Sequence, residues 1–321
     1  MHIPSLFNNA NPGAPRWAVP VLDPIETRDV SESIVMFVCS HPMTQVTVQW
    51  GSGVIVAALE DSMWIVSAAH LFTDWMNSAE RASSSPPGDS DAASRLQQYL
   101  ERDVFRVVVN FDYPIGRRSC KLEAVSLSRN ANAADVALLR VRYPPLASSR
   151  HVSVLPLDLE TFPGWAPVVI AGYSGAEAHA GHDDHRWQGY GEGSTRDLYC
   201  RVGHVAERIS EFGGVHAPMY GISIPSLPGM SGGPVILDRN FIDEVVRVLP
   251  RPTRFPLAVV GIISRDGSKA ELPDSCRDGE TWASPISHVL DLSVAEGWSL
   301  RDAILRGKIR AYGATAVSRE S

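Results

Sequence analysis

Short apolar segments broken by Gly, Pro, Ser and Asp recur along the whole chain, and that rhythm limits what the chain can build. The segments are Ser33–Cys39, Gln45–Ala58, Met63–Ala68, Phe105–Phe111, Cys120–Ser126, Val136–Val141 and Pro167–Gly172, followed by Leu198–Glu207, Pro234–Leu237, Leu257–Ser264 and Thr281–Ser284. Many are β-branched or alternate apolar with polar residues, which is the pattern of half-buried strands. Regular alternation of strand and helix is missing, so a parallel α/β sheet is disfavoured. An antiparallel sandwich or a pair of barrels fits better.

Three stretches read as helical. Asp91–Arg102 follows the turn-rich run Ser83–Ser90, and together they resemble an inserted surface loop bearing a helix. Pro285–Leu292 begins with a proline suited to a first helical turn. Ser299–Tyr312 opens on a capping box of Ser299 and Asp302, although Gly307 weakens its far half. Tyr143–Trp165, rich in Pro and Ser, is the candidate linker between two halves. No internal repeat is visible, and residues 1–30 and 313–321 are expected to be extended.

Length and composition narrow the function classes. A chain of 321 residues suits one large all-β unit or two smaller domains. With 44% apolar and 20% charged residues it reads as globular, and a formal charge of -7 without a Lys/Arg-rich run argues against nucleic acid. The N-terminal segment lacks the basic start and apolar stretch of a secretory signal. No run of about 18 apolar residues suggests a membrane span. Cys39, Cys120, Cys200 and Cys276 are scattered and form no CxxC pair, which predicts reduced thiols and a cytoplasmic address.

The chemistry concentrates at Pro228–Val235, which reads PGMSGGPV. At average residue frequencies, Gly-x-Ser-Gly-Gly-Pro should arise by chance in roughly one in a thousand or fewer chains of this length. A serine nucleophile in acyl transfer needs backbone N–H groups aimed where charge develops on the carbonyl oxygen. Gly229 permits a tight turn that points its own N–H and that of Ser231 into one pocket. A plain Gly-rich hairpin is the bland alternative. Serine also needs a base. Ile65–His70 reads IVSAAH, a strand ending in small residues that leave room for the His70 imidazole, although nine other histidines compete. The base needs an orienting carboxylate, and Ala134–Val141, ADVALLRV, sets Asp135 just before a strand. Each of these signals alone is weak; the order His, Asp, Ser joins them.

On these residues the chain resembles the trypsin/chymotrypsin-like serine peptidases, and among them the bacterial, disulfide-poor members akin to HtrA and V8-type enzymes. The matching stretches are GSGVIV (Gly51–Val56), IVSAAH, ADVALLRV, GMSGGPV (Gly229–Val235), VGIISRDG (Val260–Gly267) and TWASPISHVL (Thr281–Leu290). The resemblance implies an all-β chain of two antiparallel six-stranded β-barrels of the chymotrypsin-like fold with a C-terminal helix. It divides the chain into an extension (1–30), a peptidase domain (31–298, barrels at about 31–150 and 160–298) and a helix with tail (299–321). It implies a serine endopeptidase with His70, Asp135 and Ser231 as triad and Gly229 and Ser231 as oxyanion hole. Ser264 would hydrogen-bond the triad aspartate. The strand Ser264–Arg265–Asp266 would pair with substrate backbone, and Pro225–Leu227 with Trp282–Ser284 would line the specificity pocket. Protein or peptide is the implied substrate, with no cofactor, nucleic acid or membrane.

Some positions depart from the pattern. Met230 stands where self-activating trypsins carry aspartate, so the Gly229 loop must be ordered by its own packing, by substrate or by a regulatory protein partner. Asp266 replaces a usual glycine, no acid sits at the pocket base, and the disulfide beside the triad histidine is missing. Two rival functions remain. An α/β-hydrolase esterase also uses G-x-S-x-G, but needs a helix to start at the serine, which Pro234 opposes. A catalytically silent peptide-binding barrel would keep the fold alone. His179, His182, Asp183, Asp184 and His185 offer enough ligands for zinc, yet no predicted element holds them, and an exposed polar loop is the expected reading.

Overall fold

A computed structural model describes residues 30–40, 47–82, 92–128, 134–160, 165–174, 198–209, 219–239, 257–266, 281–295 and 298–313. Strands β1 (Ile34–Ser40), β2 (Thr47–Ala58), β3 (Ser62–Ser67), β4 (Phe105–Phe111), β5 (Gly116–Leu127) and β6 (Ala137–Arg142) close into an antiparallel barrel in the order β1-β2-β3-β6-β5-β4. After β7 (Leu157–Asp158), strands β8 (Pro167–Tyr173), β9 (Leu198–Ile209), β10 (Met219–Ile222), β11 (Pro234–Asp238), β12 (Leu257–Asp266) and β13 (Thr281–Pro285) form a second ring, β8-β9-β10-β13-β12-β11. The pairing of β11 with both β8 and β12 closes it. The chain is therefore the expected all-β double barrel with a short C-terminal helix.

Strand periodicity sorts the side chains. Val168 and Ile170 of β8 point into barrel two, whereas Val169, Ala171 and Tyr173 join the core that continues into barrel one. Alternation on one strand thus feeds two cores. Barrel-one strands such as β1, with Ile34–Cys39 all buried, read as nearly unbroken apolar runs because helices and barrel two cover their outer faces.

Directly after β3, a helix spans His70–Ala82. Its apolar residues Leu71, Phe72, Trp75, Met76 and Ala79 recur at helical spacing and pack on barrel one. Phe72 meets Phe37 and Phe105 edge-on, with ring centroids 6.0 and 5.4 Å apart. The second helix, Ala92–Glu101, matches expectation, and its Tyr99 meets Trp75 at 4.8 Å. Arg95 and Glu80, 2.7 Å apart, tie the two helices together.

Three expected elements change shape. Pro285–Leu292 forms only a 3-10 turn at Ile286–Val289. The capping box of Ser299 and Asp302 is present, but its helix stops at Leu305, because Gly307 adopts φ +67° and turns the chain. Beyond a hairpin of β14 (Ser293–Ala295) and β15 (Trp298–Ser299), the chain returns as β16 (Ala311–Tyr312). The Pro/Ser-rich connection between barrels is likewise more than linker: β7 lies parallel to β12 and to β16. Buried Arg239 holds Asp158 at 2.6 Å and Glu160 at 2.8 Å, with its guanidinium 4.3 Å from the Tyr312 ring centroid.

No helix among the described residues is long and apolar enough to cross a membrane. The His179–His185 cluster and both termini lie outside the described residues.

Phe72→Ala should remove about 3–5 kcal/mol of unfolding free energy, the usual cost of emptying a buried aromatic site. Equilibrium denaturation checks this; a loss below about 1 kcal/mol would mean that the helix does not seal barrel one.

Candidate active site

The site begins with strand register. β3 and β6 pair antiparallel with Ser67 opposite Ala137, so the end of one strand lies beside the start of the other. His70, three residues past Ser67, therefore meets Asp135, two residues before Ala137. The Asp135 carboxylate grips the histidine twice: Oδ1 accepts the His70 backbone N–H at 2.7 Å, and Oδ2 lies 2.6 Å from Nδ1. The first bond satisfies an amide at the helix start that has no partner within the helix, and an anion there is favoured by the helix dipole. The second fixes the ring, turning Nε2 to the side opposite the carboxylate. The two side chains are 24% and 13% exposed, so the pair is sheltered without being sealed.

Asp135 is held from the far side by barrel two. Its backbone N–H donates to Ser284 Oγ at 3.2 Å, and Ser284 Oγ lies 2.7 Å from Ser264 Oγ. Ser264 thus connects to Asp135 by way of Ser284, rather than by the direct bond the resemblance implied. The cause is a bulge: Ile263 pairs with Ala283 and Arg265 with Trp282, leaving Ser264 as the extra residue. Both serine side chains are fully buried. Beyond the bulge, the backbone of Arg265 and Asp266 continues β12 along β13.

Ser231 sits at the seam between barrels. The Ser52 N–H of β2 donates to the Ser231 carbonyl at 2.8 Å, and the Ser52 hydroxyl donates to the Gly229 carbonyl at 2.8 Å. Gly232 packs so close to barrel one that a Cβ there would lie 2.2 Å from both Ser52 O and Ser67 Oγ, and 3.0 Å from Ala68 N. With φ +83°, the position excludes other residues twice over. Ser231 therefore adjoins the strand end that carries His70. The Ser231 hydroxyl has no hydrogen-bond partner among the described residues; nucleophile–base bonds are often long before substrate binds.

The loop's backbone is sorted into used and unused amides. Met230 N–H donates to Leu227 O at 3.0 Å, Gly232 N–H to Ile263 O at 2.7 Å, and Gly233 N–H to Met230 O at 2.9 Å. The Gly229 and Ser231 N–H groups, expected to form an anion-binding pair, have no partner among the described residues. Met230 is fully buried in the barrel-two core, and its sulfur accepts the Leu227 N–H at 3.3 Å. Upstream, Arg201 donates to the Pro225 carbonyl, and Thr281 Oγ1 donates to Ile224 O at 2.7 Å.

His70, Asp135, Ser231 and Gly229, the residues singled out from the sequence, lie at one seam in the structure. Sequence reasoning missed Ser52, although GSGVIV carries it, because a serine between two glycines reads locally as a turn. The described cysteines offer no rival nucleophile: all three are free thiols, burial pushes those of Cys120 and Cys200 up to about 12 and raises Cys39 further, so they stay protonated at neutral pH.

Comparison with known proteins agrees with this geometry. A family model of the trypsin-like peptidase domain matches residues 51–242, from the Ser52 strand through the Ser231 loop. A comparison with curated proteins finds no match. Since that model covers more than half of a chain folded as two closed barrels, the protein belongs to the trypsin-like peptidase family.

Proposed function

We propose that the protein is a serine endopeptidase using His70, Asp135 and Ser231 as its triad. The observation that carries this reading is the double contact of Asp135 with His70, beside a loop whose Gly229 and Ser231 amides have no partner among the described residues. His70 Nε2 takes the Ser231 Oγ proton as the oxygen attacks the scissile carbonyl carbon. The carbonyl electrons move onto oxygen, between the N–H groups of Gly229 and Ser231. As the tetrahedral species collapses, the C–N bond breaks and the leaving amine takes the proton from His70. Water then repeats the sequence on the acyl-enzyme and frees Ser231.

The substrate is a protein or peptide whose backbone pairs along Ser264–Asp266, with its side chain near Pro225. Arg201 against the Pro225 carbonyl adds positive charge there, which disfavours Lys or Arg in that pocket. Buried free thiols fit a reducing, cytoplasmic compartment. One observation favours a silent peptide-binding barrel instead, namely that the Ser231 hydroxyl has no hydrogen-bond partner among the described residues.

A fluorophosphonate probe separates the two readings, since only an activated serine reacts. Wild type should label at Ser231, and Ser231→Ala or His70→Ala should cut peptide hydrolysis by roughly 10⁴-fold with the fold intact. Activity within tenfold of wild type in either variant would remove the triad assignment.

Free histidine titrates near pH 6.5, and the base must be neutral to accept a proton. The hydrolysis rate should therefore climb through roughly pH 6–8. A flat profile from about pH 5 to 9 would contradict a histidine base.

Activation should need no N-terminal cut. In trypsin-like zymogens a new ammonium enters and pairs with a carboxylate beside the nucleophile. Here that position is Met230, an apolar side chain packed in the core, and an unpaired buried ammonium would cost several kcal/mol. Protein shown by intact mass to be uncut should hydrolyse peptides. Inert uncut protein switched on by cleavage before residue 34 would refute this.

A further inference from the structure

Two peptide planes meet at Gly229, and each is pinned by one serine hydroxyl. The Pro228 carbonyl accepts from Ser174 Oγ at 3.0 Å. In a trans peptide the C=O and the following N–H point in opposite directions, so this bond turns the Gly229 N–H away from Ser174. The next plane is held through the Gly229 carbonyl, which accepts from Ser52 Oγ at 2.8 Å. Tyr173 N–H donates to Ser52 Oγ at 2.8 Å, occupying a lone pair of that hydroxyl. The single hydroxyl proton of Ser52 then goes to Gly229 O, because its other acceptor, Tyr173 O, is 3.5 Å away. Ser52 is fully buried and Ser174 nearly so, so water does not readily replace either bond.

The pins matter because Gly229 has φ +92°, in a region where glycine rotates freely. Rotation of the Pro228–Gly229 plane would exchange an N–H donor for a carbonyl at the same spot. No charge at position 230 opposes that rotation, since Met230 is apolar. We propose that Ser52 and Ser174 are positioning residues that hold the Gly229 N–H toward the developing oxyanion, two neutral hydroxyls doing what an ion pair beside the nucleophile would otherwise do. This inference rests on the serine-peptidase reading above. Their side chains touch the loop's carbonyls and stay away from the reacting atoms. The signature is therefore loss of transition-state stabilisation with ground-state binding retained.

The test compares wild type with Ser174→Ala, Ser174→Thr and Ser52→Ala, following kcat and KM separately, inhibition by a peptidyl aldehyde, and thermal unfolding. Loss of one oxyanion donor costs about 10²–10³-fold in kcat, so loss of its orientation should cost about 10–10²-fold in Ser174→Ala with KM within about threefold. Aldehyde affinity, which depends on the hemiacetal oxygen entering the same hole, should fall in parallel. Ser174→Thr, which keeps a hydroxyl, should recover most of the kcat. An unchanged kcat in Ser174→Ala overturns the proposal, as does a fall in Tm and kcat with aldehyde affinity retained. Should Ser52→Ala fail to fold, the two Ser174 variants decide the matter alone. Wild type that neither hydrolyses peptides nor takes a fluorophosphonate label would instead sink the peptidase reading, and this proposal with it.

Discussion

Ser52 reaches across the seam between barrels with both its backbone N–H and its hydroxyl, and the placement of the Ser231 loop depends on that reach. Its bond to Gly229 joins residues 177 apart in sequence, while Ser67 Oγ donates to the Ser52 carbonyl at 2.7 Å from the strand that leads to His70. One buried residue thus ties the β3 end to the Ser231 loop. Buried carbonyls without donors cost about 1–3 kcal/mol each, so the barrels cannot slide apart here without penalty. Gly232 enforces the same spacing by having no side chain to interpose.

The His70–Asp135 pair depends on a different constraint, the register of β3 against β6, two strands of barrel one. From barrel two, Ser284 supports the Asp135 backbone. The site is therefore built from two rigid halves, each ordered by its own sheet, with hydroxyl groups bridging them. Such a construction uses short serine side chains because their rotamer freedom is small and a bond of about 2.8 Å leaves little slack.

Much of this could be read from local sequence. Strand alternation pointed to an antiparallel sandwich or a pair of barrels, the family resemblance chose the barrels, and the segments around Ser231, His70 and Asp135, each weak alone, gained force from their order along the chain. The helix His70–Ala82 was not among the expected elements, although Leu71, Phe72, Trp75, Met76 and Ala79 recur at helical spacing. Other features were not local at all. Nothing in GSGVIV says that its serine will meet Gly229, and nothing in TWASP says that Ser284 will receive the Asp135 N–H. The bulge at Ser264 arises from two strands whose register shifts by one residue, which neither strand encodes alone. Strands of two residues, such as β7 and β16, are too short to have a period.

Those two short strands give the chain a schedule. Barrel one is complete once residue 142 has been synthesised, so His70 and Asp135 can meet while most of barrel two is still unmade. Barrel two receives its last ring strand at Thr281–Pro285, and β7, laid down just after barrel one, waits for β16 near the end of the chain. Domains generally fold in order of their emergence from the ribosome. The His70–Asp135 pair is consequently assembled before the Ser231 loop, and the proposed site is completed only once Thr281–Pro285 has joined the second ring.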